Sequence, residues 1–240
     1  MELASAMRLF HRAFHTFTLL MITAVISGCS QKFNDVNDTL NIALFGDKDT
    51  QLENVDIINL PYASIYARIG DGPQAFMVLA LAEYPAKFGV QKQSSALQLK
   101  WLSSDKGMLV TKSGRLVKTL NLPQGNLLNT HSTQPDPLQL GLQKANTPKH
   151  WQRTIDWQPG YHGGYKLEST FIRQPNAVIM VNEKPIETLH FTEEVTVKSL
   201  DNSYQNNFWL HPQTGKVLKS KQKLAPGLPY IEITLLKPYS

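Results

Sequence analysis

The sequence MLVTKSGRLVKTL, residues 108–120, gives the clearest indication of how this chain folds. Two runs of strand-forming residues flank Ser113-Gly114, and glycine at the second position of a two-residue turn supplies the positive φ that a tight hairpin needs. The stretch therefore predicts two antiparallel strands joined by a two-residue turn.

Further strand patterns lie on both sides of this hairpin. Residues 74–83 (QAFMVLALAE) form a continuous apolar run between Pro73 and Pro85, which predicts a buried central strand. Residues 231–235 alternate between apolar and polar, as a strand with one buried face does. The remaining strand candidates are Tyr165 to Ile172, Ala177 to Val181, Ile186 to Val197, Tyr204 to Leu210 and Lys216 to Leu224.

These patterns predict an all-β fold of about ten to twelve mostly antiparallel strands, because the connections are short. We expect a curved sheet or barrel formed by one domain, residues 47–240. Residues 123–149, rich in Pro, Gln and Asn, form the one long irregular stretch. That stretch either divides two lobes or crosses the surface of one, and we favour one continuous domain.

The N-terminus has the pattern of an export signal. Arg8 and Arg12 precede the apolar run from Phe17 to Ile26, which would extend about 15 Å as a helix, half of the roughly 30 Å that spans a bilayer. The run therefore fits a cleaved signal better than a permanent membrane helix. Translation could begin at Met1 or at Met7, since the sequence after Met7 is a more typical signal opening.

Cys29 is the single cysteine of the chain and follows two small residues at the end of this signal. This pattern predicts a bacterial lipoprotein: residues 1–28 are removed, and the Cys29 thiol carries diacylglycerol, with palmitate-like chains. A free, buried cysteine is the alternative. Several acyl chains on one residue make attachment effectively permanent. Ser30 follows in place of the aspartate that commonly retains lipoproteins at the inner membrane, so we expect the periplasmic face of the outer membrane in a Gram-negative bacterium.

A short amphipathic helix is predicted close to the anchor. Phe33, Val36, Leu40 and Leu44 recur at helical spacing, and Gly46 ends the pattern. Residues 29–46 therefore comprise the lipidated cysteine, a tether and this helix, which either packs on the β domain or lies on the membrane. Packing is the favoured alternative.

The patterns of common catalytic and metal sites are missing from the sequence. His11 and His15 have metal-ligand spacing but lie in the predicted signal, so neither a metal nor a cofactor is expected. The sequence contains neither a nucleophile elbow nor a dinucleotide-binding loop. Glu193 and Glu194 are neighbours in a predicted strand, so they point to opposite faces and cannot act as a carboxylate pair. We therefore expect a protein that is not an enzyme.

The charge distribution gives no indication of nucleic-acid binding, since the formal net charge is +5 and the lysines are dispersed. The densest basic group is Lys216, Lys219, Lys221 and Lys223. It could contact anionic lipid or sugar, but a solvated strand face is the favoured interpretation.

Four aromatic residues form a candidate ligand-binding set: Trp151, Trp157, Tyr161 and Tyr165. Their rings could stack on the C–H faces of sugars. The alternative, which we favour, is ordinary packing of large rings in a thin β core.

Several stretches in matching order resemble the YjbF/GfcB family of bacterial lipoproteins. They are residues 59–64 (NLPYAS), 72–83, 111–119 (TKSGRLVKT), 136–138 (DPL), Trp151 with 153–157 (RTIDW), 208–210 (FWL) and 234–237 (TLLK). Residues 84–100 and 123–149 are longer than the family pattern, so contacts made by those loops could differ.

The resemblance implies an all-β lipoprotein that assists the export or assembly of exopolysaccharide or group 4 capsule. Its partners would be the membrane, through the lipid anchor, and the polysaccharide or envelope secretion proteins. The family offers no catalytic residues to transfer to this chain. Two alternatives stay open: a carrier-like half-barrel that binds an apolar ligand, and a glycan-acting enzyme. An interior filled by the protein's own side chains would count against the carrier.

Overall fold

The structure is a computed structural model that describes residues 48–84 and 96–239. Residues 48–240 form one compact unit. The predicted signal, Cys29, the tether and the predicted helix of residues 33–46 lie outside the described residues. Within the described ranges, no helix has both the length and the apolar character needed to cross a bilayer.

Thirteen strands form a single sheet, accompanied by two short α-helices and one 3-10 turn in the part of the chain that the structure describes. The helices are α1 (Asn54–Asn59) and α2 (Pro137–Leu140), and the 3-10 turn is Lys198–Leu200. The strands are β1 (Ser64–Ile69), β2 (Gln74–Glu83), β3 (Gln98–Leu102), β4 (Met108–Lys112), β5 (Arg115–Leu120), β6 (Asn126–His131), β7 (His150–Gln158), β8 (His162–Arg173), β9 (Ala177–Val181), β10 (Lys184–Val197), β11 (Asn202–Leu210), β12 (Val217–Lys223) and β13 (Tyr230–Lys237).

The sheet closes almost completely into a barrel. Its strand order is β5-β4-β3-β2-β1-β13-β12-β11-β10-β8-β7-β6, and the paired strands are antiparallel. β9 pairs only with the first residues of β10 and lies outside this path. The predicted all-β fold, with mostly antiparallel strands in a curved sheet or barrel, is confirmed.

Side chains join the two ends of the sheet, β5 and β6. The Leu127 N–H donates to Thr119 Oγ1 at 3.0 Å, and Thr119 Oγ1 donates to Asn126 Oδ1 at 3.2 Å. β5 has β4 as its ladder neighbour and β6 has β7, so the backbone ladder is interrupted between them. Closure of the barrel therefore depends on side-chain bonds at this seam.

The predicted hairpin of residues 108–120 is confirmed as β4 and β5. Ser113 and Gly114 form its turn with φ values of 50° and 84°, the positive pair typical of a tight two-residue hairpin. A Cβ atom on Gly114 would lie only 2.5 Å from Val217 Cβ. The turn therefore packs directly against the start of β12, which belongs to a distant part of the sheet.

The prediction for residues 74–83 is right about the strand and wrong about its burial. β2 has those bounds, but Met77 is 3% exposed whereas Leu81 is 46% exposed. A barrel is a single layer, so each strand turns one face to the interior and the other to solvent. A continuous apolar run does not distinguish this arrangement from full burial.

Residues 123–149 contain more regular structure than the sequence indicated. They include β6 and α2, and Leu138 and Leu142 in and after α2 are 5% and 1% exposed. Leu138 and Leu142 pack among inward-facing aromatic residues of the barrel, whereas residues 133–135 and 144–146 of the same stretch are exposed. α1 was not among the elements predicted from the sequence; Ile57 is its buried residue.

Replacing Gly114 with alanine is expected to destabilise the barrel by about 2–4 kcal/mol, combining left-handed backbone strain with the clash against Val217. Gly164→Ala is the matched control. Gly164 has φ +71°, but no atom lies within 4 Å of the point that its Cβ would occupy, so only the strain of about 1 kcal/mol applies. Urea denaturation of both variants measures the difference. Equal losses would contradict packing of this turn on β12.

Candidate functional site

The inward-facing side chains form three successive zones along the strands. On β10 they are Phe191, then Glu193, then Val195 and Val197. The first zone, here called the aromatic cap, comprises Leu138, Leu142, Trp151, Phe171, Phe191, Phe208 and Leu210. The third zone, the apolar base, is the larger cluster that includes Ile65, Trp101, Leu116, Ile155, Trp157, Leu167, Val195, Val197 and Ile231. Between them lies the charged layer, which comprises Arg115, Arg153, Glu193, Asn206 and Ser169.

Glu193 is the centre of the charged layer and has no exposed surface. Its Oε2 accepts hydrogen bonds from Arg115 Nη1 at 2.7 Å and Asn206 Nδ2 at 2.8 Å. Its Oε1 accepts from Arg153 Nη1 at 2.9 Å, and the same nitrogen donates to Ser169 Oγ at 2.6 Å. Both carboxylate oxygens are therefore satisfied, as a buried charge requires.

The two arginines keep Glu193 ionised. Burial alone would raise the pKa of Glu193, but Coulombic attraction from Arg115 and Arg153, with the hydrogen bonds from Arg115 and Asn206, lowers its pKa to about 2. The carboxylates of Asp136 and Glu193 raise the pKa of Arg115 despite the opposing effect of burial. Burial also raises the pKa of the neighbouring Tyr204 to about 12, so its phenol stays protonated at neutral pH.

Arg115 also connects the charged layer to α2. Its Nε lies 2.5 Å from Asp136 Oδ2, and Asp136 Oδ1 accepts the Leu138 N–H at 2.9 Å, which caps the helix. The guanidinium groups of Arg115 and Arg153 each lie 4.8 Å from the Trp151 ring centroid, within the range of cation–π attraction. One salt-bridge system therefore positions α2 and the aromatic cap together.

Among the residues that the structure describes, part of the barrel end near α2 is left uncovered. This mouth groove has a volume of about 440 Å³. It is bounded by the start of β3, the β4–β5 turn, the α2 segment (α2 and the residues after it up to 144), the β11–β12 turn and the end of β13. Leu99 and Leu235, which pack against the apolar base, lie on its inner side. The α2 segment covers one part of the barrel end, and the groove occupies the rest.

The four candidate aromatic residues do not share one exposed surface. Trp151 is 5% exposed and belongs to the aromatic cap, while Trp157 is 3% exposed and belongs to the apolar base. Core packing, the favoured alternative, is what the structure shows for both tryptophans. Tyr161 is fully exposed in the β7–β8 turn, and Tyr165 is half-buried, with its ring centroid 4.7 Å from that of Trp157.

The lysines of β12 lie on the outer wall of the barrel. They alternate with Ser220 and Gln222, which are buried. Lys219 Nζ lies 2.8 Å from Glu232 Oε1 and 5.8 Å from the Trp209 ring centroid, and His190 stacks on that ring at 4.9 Å. This arrangement agrees with the solvated strand face that we favoured for these lysines from the sequence.

Sequence reasoning missed the charged layer. The opposite orientations of Glu193 and Glu194 are confirmed, but the inward glutamate was not connected to Arg115 or Arg153. The available signal was the two-residue period of a strand: Arg153 shares a face with Trp151 and Ile155, so a charge occupies one position of an otherwise apolar inward series. Arg115, Arg153 and Asp136 also lie within stretches that carry the family resemblance.

The chemistry of the charged layer is structural. A carboxylate that is ionised, bonded on both oxygens and sealed from solvent cannot deliver a proton to a substrate at neutral pH. In residues 48–84 and 96–239, no group of three or more His, Cys, Asp or Glu residues is placed to hold a metal ion. Fold and interior together define a filled, nearly closed antiparallel barrel whose available surfaces are its outer wall and its mouth.

Comparisons with known proteins identify the family. The family described as "Group 4 capsule polysaccharide lipoprotein gfcB, YjbF" matches residues 37–236. The chain belongs to this family of capsule polysaccharide lipoproteins. It is 33% identical over 221 residues to the uncharacterized lipoprotein GfcB of Escherichia coli (strain K12), covering 92% of this chain and 97% of GfcB. It is 32% identical over 222 residues to the uncharacterized lipoprotein YjbF of the same strain, covering 91% and 96%.

A solved structure agrees with the fold. The crystal structure of the hypothetical lipoprotein YmcC from Escherichia coli (K12) superposes with a TM-score of 0.66 at 32% sequence identity. The match covers 85% of this chain and 96% of that chain. The resemblance noted in the sequence is therefore confirmed for both family and fold.

Replacing Glu193 with glutamine is expected to destabilise the protein by about 3–5 kcal/mol at pH 7, because two buried arginines lose their shared counter-charge. The pH profile should change as well. The pKa of Glu193 in the folded protein lies below its ordinary value of 4.5. Its contribution to the free energy of unfolding is therefore complete above pH 4.5 and is lost as pH falls toward 2. This loss of about 3 kcal/mol should be missing in the variant.

Urea denaturation at a series of pH values measures both effects. Glu194→Gln is the matched control, because Glu194 is the exposed neighbour on the same strand and should leave the free energy of unfolding nearly unchanged. If the free energy of unfolding of Glu193→Gln falls between pH 4.5 and 2 as steeply as that of the wild type, Glu193 is not the source of the acid sensitivity.

Proposed function

We propose that this protein is an outer-membrane lipoprotein, anchored through acylated Cys29 on the periplasmic face, that assists the export or assembly of capsule or exopolysaccharide without catalysing a reaction. Membership of the capsule polysaccharide lipoprotein family, across residues 37–236, is the observation that carries the proposal. The sequence pattern before Cys29 supports the anchor, and Ser30 supports sorting to the outer membrane.

The filled interior favours a role carried out on the surface. Val195, Val197, Phe208, Leu210 and Ile231 each have no exposed area, and the charged layer occupies the space between the two apolar zones. A carrier needs an interior that its ligand can enter. The barrel body is instead filled by its own side chains, so the carrier-like alternative loses its main physical support.

The buried carboxylate also gives no support to the glycan-acting alternative. A glycosidase needs one carboxylic acid that can be protonated near the working pH and a second carboxylate close by, both reachable by the sugar. Glu193 has its pKa lowered to about 2 and is held between two arginines. Glu194, its sequence neighbour, lies on the opposite face of β10.

Contact with polysaccharide or a partner protein would then be made by side chains on the outer surface of the barrel. Of the four aromatic candidates, Tyr161 projects fully into solvent, whereas Tyr165 is half-buried and packs against the apolar base. At the base of this turn, the His162 ring stacks on Trp157 at a centroid distance of 4.4 Å. Tyr161 is therefore the residue that we assign to such a contact.

Deleting the gene in its native bacterium is expected to lower cell-surface capsule or exopolysaccharide several-fold, and expression of the wild-type chain should restore it. Cys29→Ser should fail to restore output, because the protein loses its acyl chains and no longer sediments with the outer membrane. Polysaccharide quantification and membrane fractionation measure the two effects.

Two variants at Ser30 serve as controls. Ser30→Ala should behave like the wild type, whereas Ser30→Asp should move the protein to the inner-membrane fraction while acylation is kept. Unchanged polysaccharide output in the deletion strain would overturn the proposed role. Full-size Cys29→Ser protein that still sediments with membranes and functions normally would overturn the anchor alone.

A further inference from the structure

The mouth groove is a recess whose apolar walls are formed largely by leucine side chains. Its volume of about 440 Å³ lies within the roughly 300–1,000 Å³ typical of small-molecule sites. The aliphatic and aromatic wall residues are Leu97, Leu99, Leu138, Leu140, Val217, Leu235 and Tyr239. The mouths of β-barrels are a preferred position for such sites.

The groove has a closed inner end and an open outer end. Leu138 is 5% exposed and Leu99 and Leu235 are half-buried against the apolar base, whereas Leu140 is 37% and Tyr239 48% exposed. The apolar base lies below, so the recess does not continue through the barrel. This shape accepts the end of a hydrocarbon chain and leaves the other end of the molecule in solvent.

Two lysines line the groove without acidic neighbours in the wall. Lys144 and Lys216 are both exposed, and the lining includes neither aspartate nor glutamate. Neither lysine forms a salt bridge with a described residue, in contrast to Lys219, which pairs with Glu232. A pair of cations without an acidic partner among the described residues, beside leucine side chains, complements a negatively charged group attached to an apolar chain.

Close packing between two turns of the chain positions Lys144 and Lys216. Gly215, with φ +69°, precedes Lys216, and a Cβ atom there would lie 2.2 Å from the side-chain amide nitrogen of Gln143. The β11–β12 turn therefore packs directly on the α2 segment, which carries Lys144. Asp136, bonded to Arg115, caps α2, so the charged layer positions one wall of the groove.

We propose that the mouth groove binds an amphiphile with one hydrocarbon chain and an anionic head group. The chain occupies the space between Leu99, Leu138 and Leu235, and Lys144 and Lys216 attract the head group. A polar saccharide would leave these leucines without apolar contact, so the lining favours a hydrocarbon tail. Such binding follows from the groove's geometry and does not depend on the proposed role in polysaccharide export.

Photolabelling of the full chain, produced in cells and held in lipid nanodiscs, tests the proposal. The probes are dodecanoate and dodecanol, each carrying a diazirine near the chain end, and mass spectrometry identifies the labelled peptides. Dodecanoate should label peptides that include residues 97–99, 138–144 and 235–239, and excess unlabelled dodecanoate should suppress that labelling. Leu140→Asp should reduce it about tenfold, because a charge then lies on the apolar wall.

Matched variants separate this site from general adsorption. Leu120→Asp is the control for Leu140→Asp, since Leu120 is also 37% exposed but lies at the other end of the barrel. Lys144→Gln with Lys216→Gln should lower dodecanoate labelling about fivefold and leave dodecanol labelling unchanged. Lys118→Gln with Lys184→Gln, a second pair of exposed lysines, should have no effect.

Three results would overturn the proposal: labelling of the groove peptides that unlabelled dodecanoate does not suppress, equal labelling of Leu140→Asp and Leu120→Asp, and dodecanol labelling as strong as that of dodecanoate. Urea denaturation midpoints of all variants verify that each is folded. Because Leu140, Lys144 and Lys216 retain solvent contact, we expect those midpoints to stay near the wild-type value.

Discussion

Glu193, held between Arg115 and Arg153 inside the barrel, is the interaction on which the remaining structure depends. Its bonds reach residues of β5, β7 and β11, so one carboxylate joins strands from both halves of the sheet. An unpaired charge in this interior would be costly, and a shift of register by one residue would move a charged partner to the outer face. The buried ion system therefore restricts how these strands can align, whatever its net contribution to stability.

The seam between β5 and β6 explains why such a constraint is needed. The backbone ladder does not cross the seam, so β5 is held by β4 and by side chains: Thr119 bonds Asn126, and Gln222 Oε1 accepts the Leu116 N–H across the interior at 3.0 Å. Arg115 adds Glu193 and Asp136 to these contacts. The same residues fix α2 over the barrel end, which leaves a filled body and a mouth that is only partly covered.

Local sequence patterns predicted the strands but not the long-range side-chain contacts that join them. The Ser113-Gly114 turn and the alternation in β13 depend on neighbouring residues, and both were predicted correctly. The Arg115–Glu193 and Arg153–Glu193 bonds join residues 78 and 40 positions apart, which periodicity cannot detect. Residues 123–149 were misread because their composition resembles a loop, although Leu138 and Leu142 complete the aromatic cap. Core packing of Trp151 and Trp157 was the favoured interpretation of the sequence, and their burial agrees with it.

This lipoprotein is a filled barrel that presents its wall and mouth, and coupling inside the charged layer is the central claim about how it is held together. A double-mutant cycle of Arg153→Met and Glu193→Leu measures that coupling directly, because Arg115 keeps Asp136 as a partner when both are replaced. We predict that each single variant loses about 3–5 kcal/mol of unfolding free energy and that the double variant recovers at least about 2 kcal/mol of the summed loss. Losses that add to within about 0.5 kcal/mol would contradict this claim.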